Sequence, residues 1–272
     1  MTDRRLHRAA NGVAHDSLRG SLDGVRFVQG DWHRIVTAVA ELCASPNGAR
    51  DRQLMLGARF CVLTRADDWV FGFNEDDGYC GWLLASALGA DHAVSHAVAS
   101  PGTHLYPAAD MKMHEVMALS QGARLQVTGQ NGSFAQTPLG FVPANHLRPL
   151  DQPLTDRVAV ARGFLGAPYL WGGNTRAGLD CSALIQIAWH ACGLTCPADS
   201  DQQMGMPGQD IPEVDLAPGD LIFWPGHVAM ISAPGRMIHA NAHHMAVVEE
   251  NYAGAVARIA AKGELVVRRL RA

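Results

Sequence analysis

Residues 178–193 read GLDCSALIQIAWHACG. Asp180 is a strong helix-capping residue type. After it, Leu184, Ile187, Ala188 and Ala191 recur at helical spacing, and Gly193 is placed to end the run. Cys181 therefore falls in the first turn of an expected helix. Backbone N–H groups and the macrodipole at such an end stabilise a thiolate. The same amides can donate to an oxyanion. A free thiol titrates near ~8.5, so a nucleophile working at neutral pH needs that value lowered. One position thus offers a nucleophile and part of its oxyanion hole, although a small cysteine packed in a core has the same local pattern.

Two histidines add to this. His227 follows WPG and opens the strand-like run HVAMIS, and His239 lies in MIHA. They are placed symmetrically about Ala233. A hairpin with an odd loop, centred on Ser232 to Pro234, sets them directly opposite each other; a two-residue Pro234-Gly235 turn sends them to opposite faces. The odd loop is the expectation. One imidazole can then act as base to Cys181 while the second orients it.

Outward from this region the chain changes character. GARFCVL, Trp69 and GWLLASAL in residues 57–88 match GARLQVT, Phe134 and GFVPANHL in residues 122–147. The match is an internal repeat of short β-branched and aromatic segments bounded by Gly, Asp and Asn, which reads as small barrels. Such paired motifs resemble bacterial SH3-like domains. The first copy is longer in one arm: WVFGFNEDDGYCG stands where the second has FAQTPLG. That extension carries Glu75, Asp76, Asp77 and Tyr79, a set suited to a peptide amine, and it is expected to close one end of a cleft. PLDQPLTD (149–156) reads as a linker. The expected divisions are 1–90 (N-terminal segment and first barrel), 91–150 (second barrel) and 151–272. In the last, a helix from Asp156 to about Leu165 precedes the cysteine helix and the strands DLIFW, HVAMIS, MIHAN and VVRRL, an α+β order.

Composition narrows the classes. The chain has 272 residues, 48% of them hydrophobic, and a net charge of −4 with no basic block. That argues against nucleic acid as a partner. No stretch approaches the ~20 apolar residues of a membrane span, and no apolar segment follows the N-terminal charges, so no membrane partner and a cytoplasmic location are expected. The six cysteines are scattered, as suits reduced thiols. His239, His243 and His244 cluster, but without HExxH spacing or a carboxylate ligand, so neither a metal nor a cofactor is expected.

PYLWGGNTRAGLDCSALIQ, LAPGDLIFW, HVAMI and MIHA, in this order, resemble the NlpC-type cell-wall cysteine peptidases across residues 155–272. The resemblance implies a papain-like α+β fold preceded by two small SH3-like β-barrels. It makes Cys181 the nucleophile, His227 the base and His239 the polar orienter. Ala183 stands where many members have Gly. Members with SH3-like repeats resemble γ-D-glutamyl-L-diamino acid endopeptidases, which implies murein stem peptides, L-Ala-γ-D-Glu-diamino acid, as partners. By the same carry-over Asp180 and Ser182 hold the substrate's amine end, Ser200 contacts substrate and Tyr169 supports the oxyanion; Tyr79 and Glu75 are added to the substrate-binding set from the extended arm of the first repeat. An amidase or acyltransferase on the same scaffold and a non-catalytic wall-binding protein are the alternatives.

Overall fold

The computed structural model describes residues 3–272. They divide into two compact units, one reaching to Val98 and including Gly102–Leu150, the other Ala99–Pro101 with Asp151–Ala272. Among the described residues no helix is long and apolar enough to cross a membrane.

The first unit is built almost wholly from strands. A small sheet of Ala9–Ala10, Val13–His15 and Arg26–Val28 precedes a seven-stranded sheet. In spatial order the larger sheet runs Leu88–Ala90, Asp31–Ile35, Arg59–Ala66, Trp69–Asn74, Cys80–Leu84, Val39–Cys43 and Arg50–Met55. The sequence repeat is a structural one. Trp69 and Phe134 each open a strand, Gly81 and Gly140 lie in the next, a 3₁₀ turn follows (Ala85–Ala87, Ala144–His146), and Leu88–Ala90 or Leu147–Pro149 closes the copy. Gly57 and Gly122, the aligned glycines, both have positive φ, +77° and +90°. The two copies meet at this motif: the Arg124 N–H donates to the Leu56 carbonyl at 2.8 Å. A Cβ on Gly57 would lie 2.2 Å from the Arg124 carbonyl oxygen, whereas one on Gly122 would meet only the Met55 methyl, at 3.1 Å.

The second unit is α+β. Helix α1 (Arg157–Arg162) is capped by Asp156, whose carboxylate accepts from the Ala159 N–H at 3.0 Å. It stops at Arg162, short of Leu165, with Gly163 as its cap. Helices α2 (Cys181–Ala191) and α3 (Ser200–Met204) follow. Then come strands β1 (Gln209–Asp210), β2 (Leu221–Trp224), β3 (His227–Ala233), β4 (Arg236–Asn241) and β5 (Ala246–Asn251), helix α4 (Tyr252–Ala260) and strand β6 (Arg268–Arg271). The sheet is antiparallel in the order β1-β6-β2-β3-β4-β5. Both faces are covered, which is why its strands are apolar on both sides. Leu221, Phe223, Val228, Met230 and Ile238 share a core with Leu184, Ile187 and Ala188 of α2. Ile222, Ala229, Ile231 and Met237 pack with Tyr252 and Ala255 of α4.

Candidate active site

Cys181 opens α2, and the helix start is tied down from three sides. Asp180 Oδ1 accepts from the Ala183 N–H at 2.9 Å and the Ser182 hydroxyl at 3.0 Å, and Oδ2 accepts from the Gly172 N–H at 2.9 Å. A cap of this kind contributes about 1 kcal/mol. Burial nonetheless pushes the Asp180 carboxyl up, against those three donors. The fully buried Gln203 of α3 donates to the Ser182 carbonyl at 2.9 Å and the Pro197 carbonyl at 3.0 Å. That fixes α3, and with it the half-buried Ser200 at its first position, against the cysteine end of α2.

The Cys181 sulfur takes amide hydrogens from Cys181, Ser182 and Val228, the last being the neighbour of His227. These pull the thiol's pKa down, but burial outweighs them, the Asp180 charge adds to it, and the thiol is pushed up to about 12. Burial thus works against the thiolate expected at the helix start. Its amides are present, and desolvation in a nearly closed pocket, with Cys181 only 7% exposed, exceeds what they supply.

His227 Nε2 lies 2.8 Å from His239 Nδ1. The route to this pairing differs from the expected odd loop. The hairpin turns on two residues: Ala233 pairs with Arg236 across Pro234-Gly235, and Gly235 has φ +68°. Left regular, that register would put the imidazoles on opposite faces. Instead Ser232 is squeezed out as a bulge, and beyond it Ile231 pairs with Met237 and Met230 with Ile238. The extra residue restores the parity, so His227 and His239 share the face of Ala229, Ile231 and Met237. Two of the bulge's polar groups find partners: the Ser232 hydroxyl donates to Glu249 Oε1 at 2.6 Å and its carbonyl accepts from Arg162 at 3.1 Å.

Burial pushes both imidazoles down to about 3; for His227 the neighbouring His239 adds to it, and for His239 the Arg258 charge does. Burial thus favours the neutral thiol and the neutral imidazoles. His239 is 1% exposed, and its Nε2 lies 2.7 Å from Glu250 Oε1. Arg258 of α4 donates to the same oxygen at 2.6 Å and to Oε2 at 3.3 Å. The sequence reading missed Glu250 and Arg258 because it assigned neither β5 nor α4. The signal was there in AVVEENYAGAVAR, a strand-like run, then Asn251 as a cap, then helical spacing to Arg258.

Of the remaining expected residues, Tyr169 lies in the same electrostatic neighbourhood, its phenol pushed up by burial and by the Cys181 and Asp180 charges. The acidic run of the first repeat is committed within its own unit. Glu75 pairs with Arg59 at 2.7 Å, Asp76 with Arg124 at 2.8 Å and Asp77 with Arg52. Tyr79 is buried, with the Arg52 guanidinium 5.4 Å from its ring centre. Each of these carboxylates, expected to meet a substrate ammonium, has an arginine partner within its own unit. Among the described residues no group of three or more His, Cys, Asp or Glu is arranged to hold a metal ion.

Two family descriptions match the chain: the NlpC/P60 family over residues 166–261 and the bacterial dipeptidyl-peptidase SH3 domain over residues 42–88. A γ-D-glutamyl-L-lysine dipeptidyl-peptidase of Bacillus subtilis is 26% identical over 77% of this chain and 78% of its own length. Its counterpart from Bacillus cereus is 25% identical over 77% and 72%. The crystal structure of an NlpC/P60 family protein from Bacillus cereus superposes with a TM-score of 0.73 at 21% identity, over 89% of this chain and 99% of that one. An NlpC/P60 endopeptidase from Photobacterium damselae gives 0.61 at 13% identity, over 87% and 70%. Both share the fold.

Proposed function

We propose that this chain, whose residues 166–261 are an NlpC/P60 cysteine peptidase domain, hydrolyses the γ-D-Glu–diamino acid bond of murein stem peptides bearing a free N-terminal L-Ala, in cell-wall peptide recycling. The observation that carries the reading is the 2.8 Å His227–His239 contact on the strand whose Val228 amide points at the Cys181 sulfur. The names of relatives that match over three-quarters of the chain support the choice of bond.

In the proposed reaction His227 accepts the Cys181 proton as sulfur attacks the γ-carbonyl carbon of D-Glu. A neutral pair suits this order, since no separated charges have to be kept in a buried site beforehand. The developing oxyanion is met by amides at the start of α2 and by the Tyr169 phenol. His227 returns the proton to the diamino acid's nitrogen as the C–N bond breaks, leaving a thioester. Water, deprotonated by His227, then releases L-Ala-γ-D-Glu and restores the thiol. Asp180, with Ser182, receives the substrate ammonium, and Ser200 contacts the peptide. Asp180 already accepts three hydrogen bonds, and a carboxylate has room for a fourth.

The test is incubation with L-Ala-γ-D-Glu-meso-diaminopimelate and with its L-Lys analogue, fragments identified by mass spectrometry. The expected products are L-Ala-D-Glu and the free diamino acid, absent with Cys181→Ala. Both peptides recovered intact would remove the assignment. An N-acetylated substrate is expected to lose most of kcat/KM; an unchanged value would remove the amine contact.

A further inference from the structure

The orienting histidine is itself oriented. His239 has two ring nitrogens, and each has a single partner of known chemistry: His227 on Nδ1 and Glu250 on Nε2. Arg258 donates to both Glu250 oxygens, and a carboxylate so paired accepts hydrogen bonds and cannot donate. We infer that Glu250, held by Arg258, is a positioning residue that fixes the tautomers of both imidazoles and so leaves His227 Nδ1 as the bare nitrogen that takes the Cys181 proton. The inference rests on the proposed Cys181–His227 chemistry.

The chain of donors has one direction. Because Glu250 only accepts, His239 carries its hydrogen on Nε2. A neutral imidazole has one N–H, so His239 Nδ1 is bare and accepts from His227 Nε2–H. His227 then has no hydrogen on Nδ1. Reverse the first link and every later link reverses, placing a proton on the nitrogen that must act as base.

Arg258 supplies the second half of the device. A lone carboxylate beside a buried imidazole favours the imidazolium, which donates from both nitrogens and could not accept from His227. The guanidinium at 2.6 Å cancels that pull. The charged or titratable groups facing the pair are Glu250 from β5, Arg258 from α4 and His244 from the β4–β5 turn. Of these, Arg258 and His244 hold His239 down, in keeping with a neutral relay.

Glu250→Gln is the deciding variant, because a carboxamide can donate to His239 Nε2 and run the chain backwards. The expected result is a fall in kcat of about 100-fold or more with KM little changed. Histidine ¹⁵N spectra should show the His227 proton moved to Nδ1, and Cys181 alkylation by iodoacetamide should slow in step. Glu250→Asp should restore part of kcat. Arg258→Ala should move the acid limb of the alkylation rate to higher pH, and Arg258→Lys should move it partly back. A folded Glu250→Gln protein with wild-type kcat, or with a change in KM alone, overturns the inference. So does a wild-type spectrum with the His239 proton on Nδ1, which needs no variant to fold. The spectra and the alkylation rate involve no peptide, so an enzyme that failed to cut the tripeptide would refute the proposed substrate and still decide this point.

Discussion

At the scale of single residues, the proposed chemistry depends on a proton that has to be moved. Burial raises the Cys181 thiol to about 12 and lowers His227 to about 3, which favours a thiolate formed in the course of transfer. His227→Ala should therefore slow Cys181 alkylation at neutral pH along with turnover, the latter by about 10²–10⁴-fold, as for loss of a general base. Peptide mapping after iodoacetamide reads the first and a rate assay the second. Alkylation at the wild-type rate in the variant would mean a thiolate that forms without the imidazole. His239→Gln should retain more activity than His239→Ala, since an amide can still accept from His227. Cys181 and both histidines could be singled out in the sequence because each stands in a motif with its own local logic. The state of the thiol was not. It is decided by how much of the pocket is closed around Cys181, and that is set by strands far along the chain.

At the scale of elements, two demands on one hairpin conflict. Pro234-Gly235 favours a two-residue turn, Gly235 accepting the positive φ. The sheet's two cores demand that Ile231 face α4 and Met230 face α2. Both are met only if one residue drops out of the ladder, and that residue is Ser232. Deleting Ser232 should therefore leave the histidines together. The shortened strand reaches the same pairing without a bulge, and kcat should stay within a few-fold of wild type. Stability should change by about 1–2 kcal/mol as the bonds from Ser232 to Glu249 and Arg162 go and a ladder bond forms. If the deletion folds yet loses Cys181 alkylation, the bulge and not the core sets the register. Nothing in the composition of HVAMISAPGRMIHA announces a bulge, which is why counting loop residues put the histidines on one face for the wrong reason. Glu250 and Arg258 were missed at this same scale. Both sit on elements the strand count left out, and their chemistry appears only once β5 lies beside β4.

At the scale of the whole molecule, two imidazoles held neutral inside the fold tie stability to pH. An ordinary histidine titrates near 6.5, and these two titrate near 3. Between those values the unfolded chain binds protons that the native chain refuses, so acidification favours unfolding. The contribution is fully present above about pH 6.5 and is lost progressively down to about pH 3. Urea midpoints should fall more steeply on acidification in wild type than in His239→Gln, which carries one such group fewer. Equal slopes would mean that the native imidazoles take up protons as free ones do. The division of labour between strand-built and α+β units was readable from periodicity and from the repeat, because both copies keep their Gly-Ala-Arg, aromatic and closing Gly in register. What the alignment of the copies concealed is that the two aligned glycines have different surroundings. Gly57 has neither a tolerable backbone angle for another residue nor space beside the Arg124 carbonyl, while Gly122 has only the first restriction and a pliable Met55 in front of it. An Asn, which tolerates positive φ, could settle at the second position and never at the first. Duplicated glycines that look equivalent in a sequence are thus unequal under mutation: both carry the strain of a positive φ, and only Gly57 adds a clash with a backbone carbonyl.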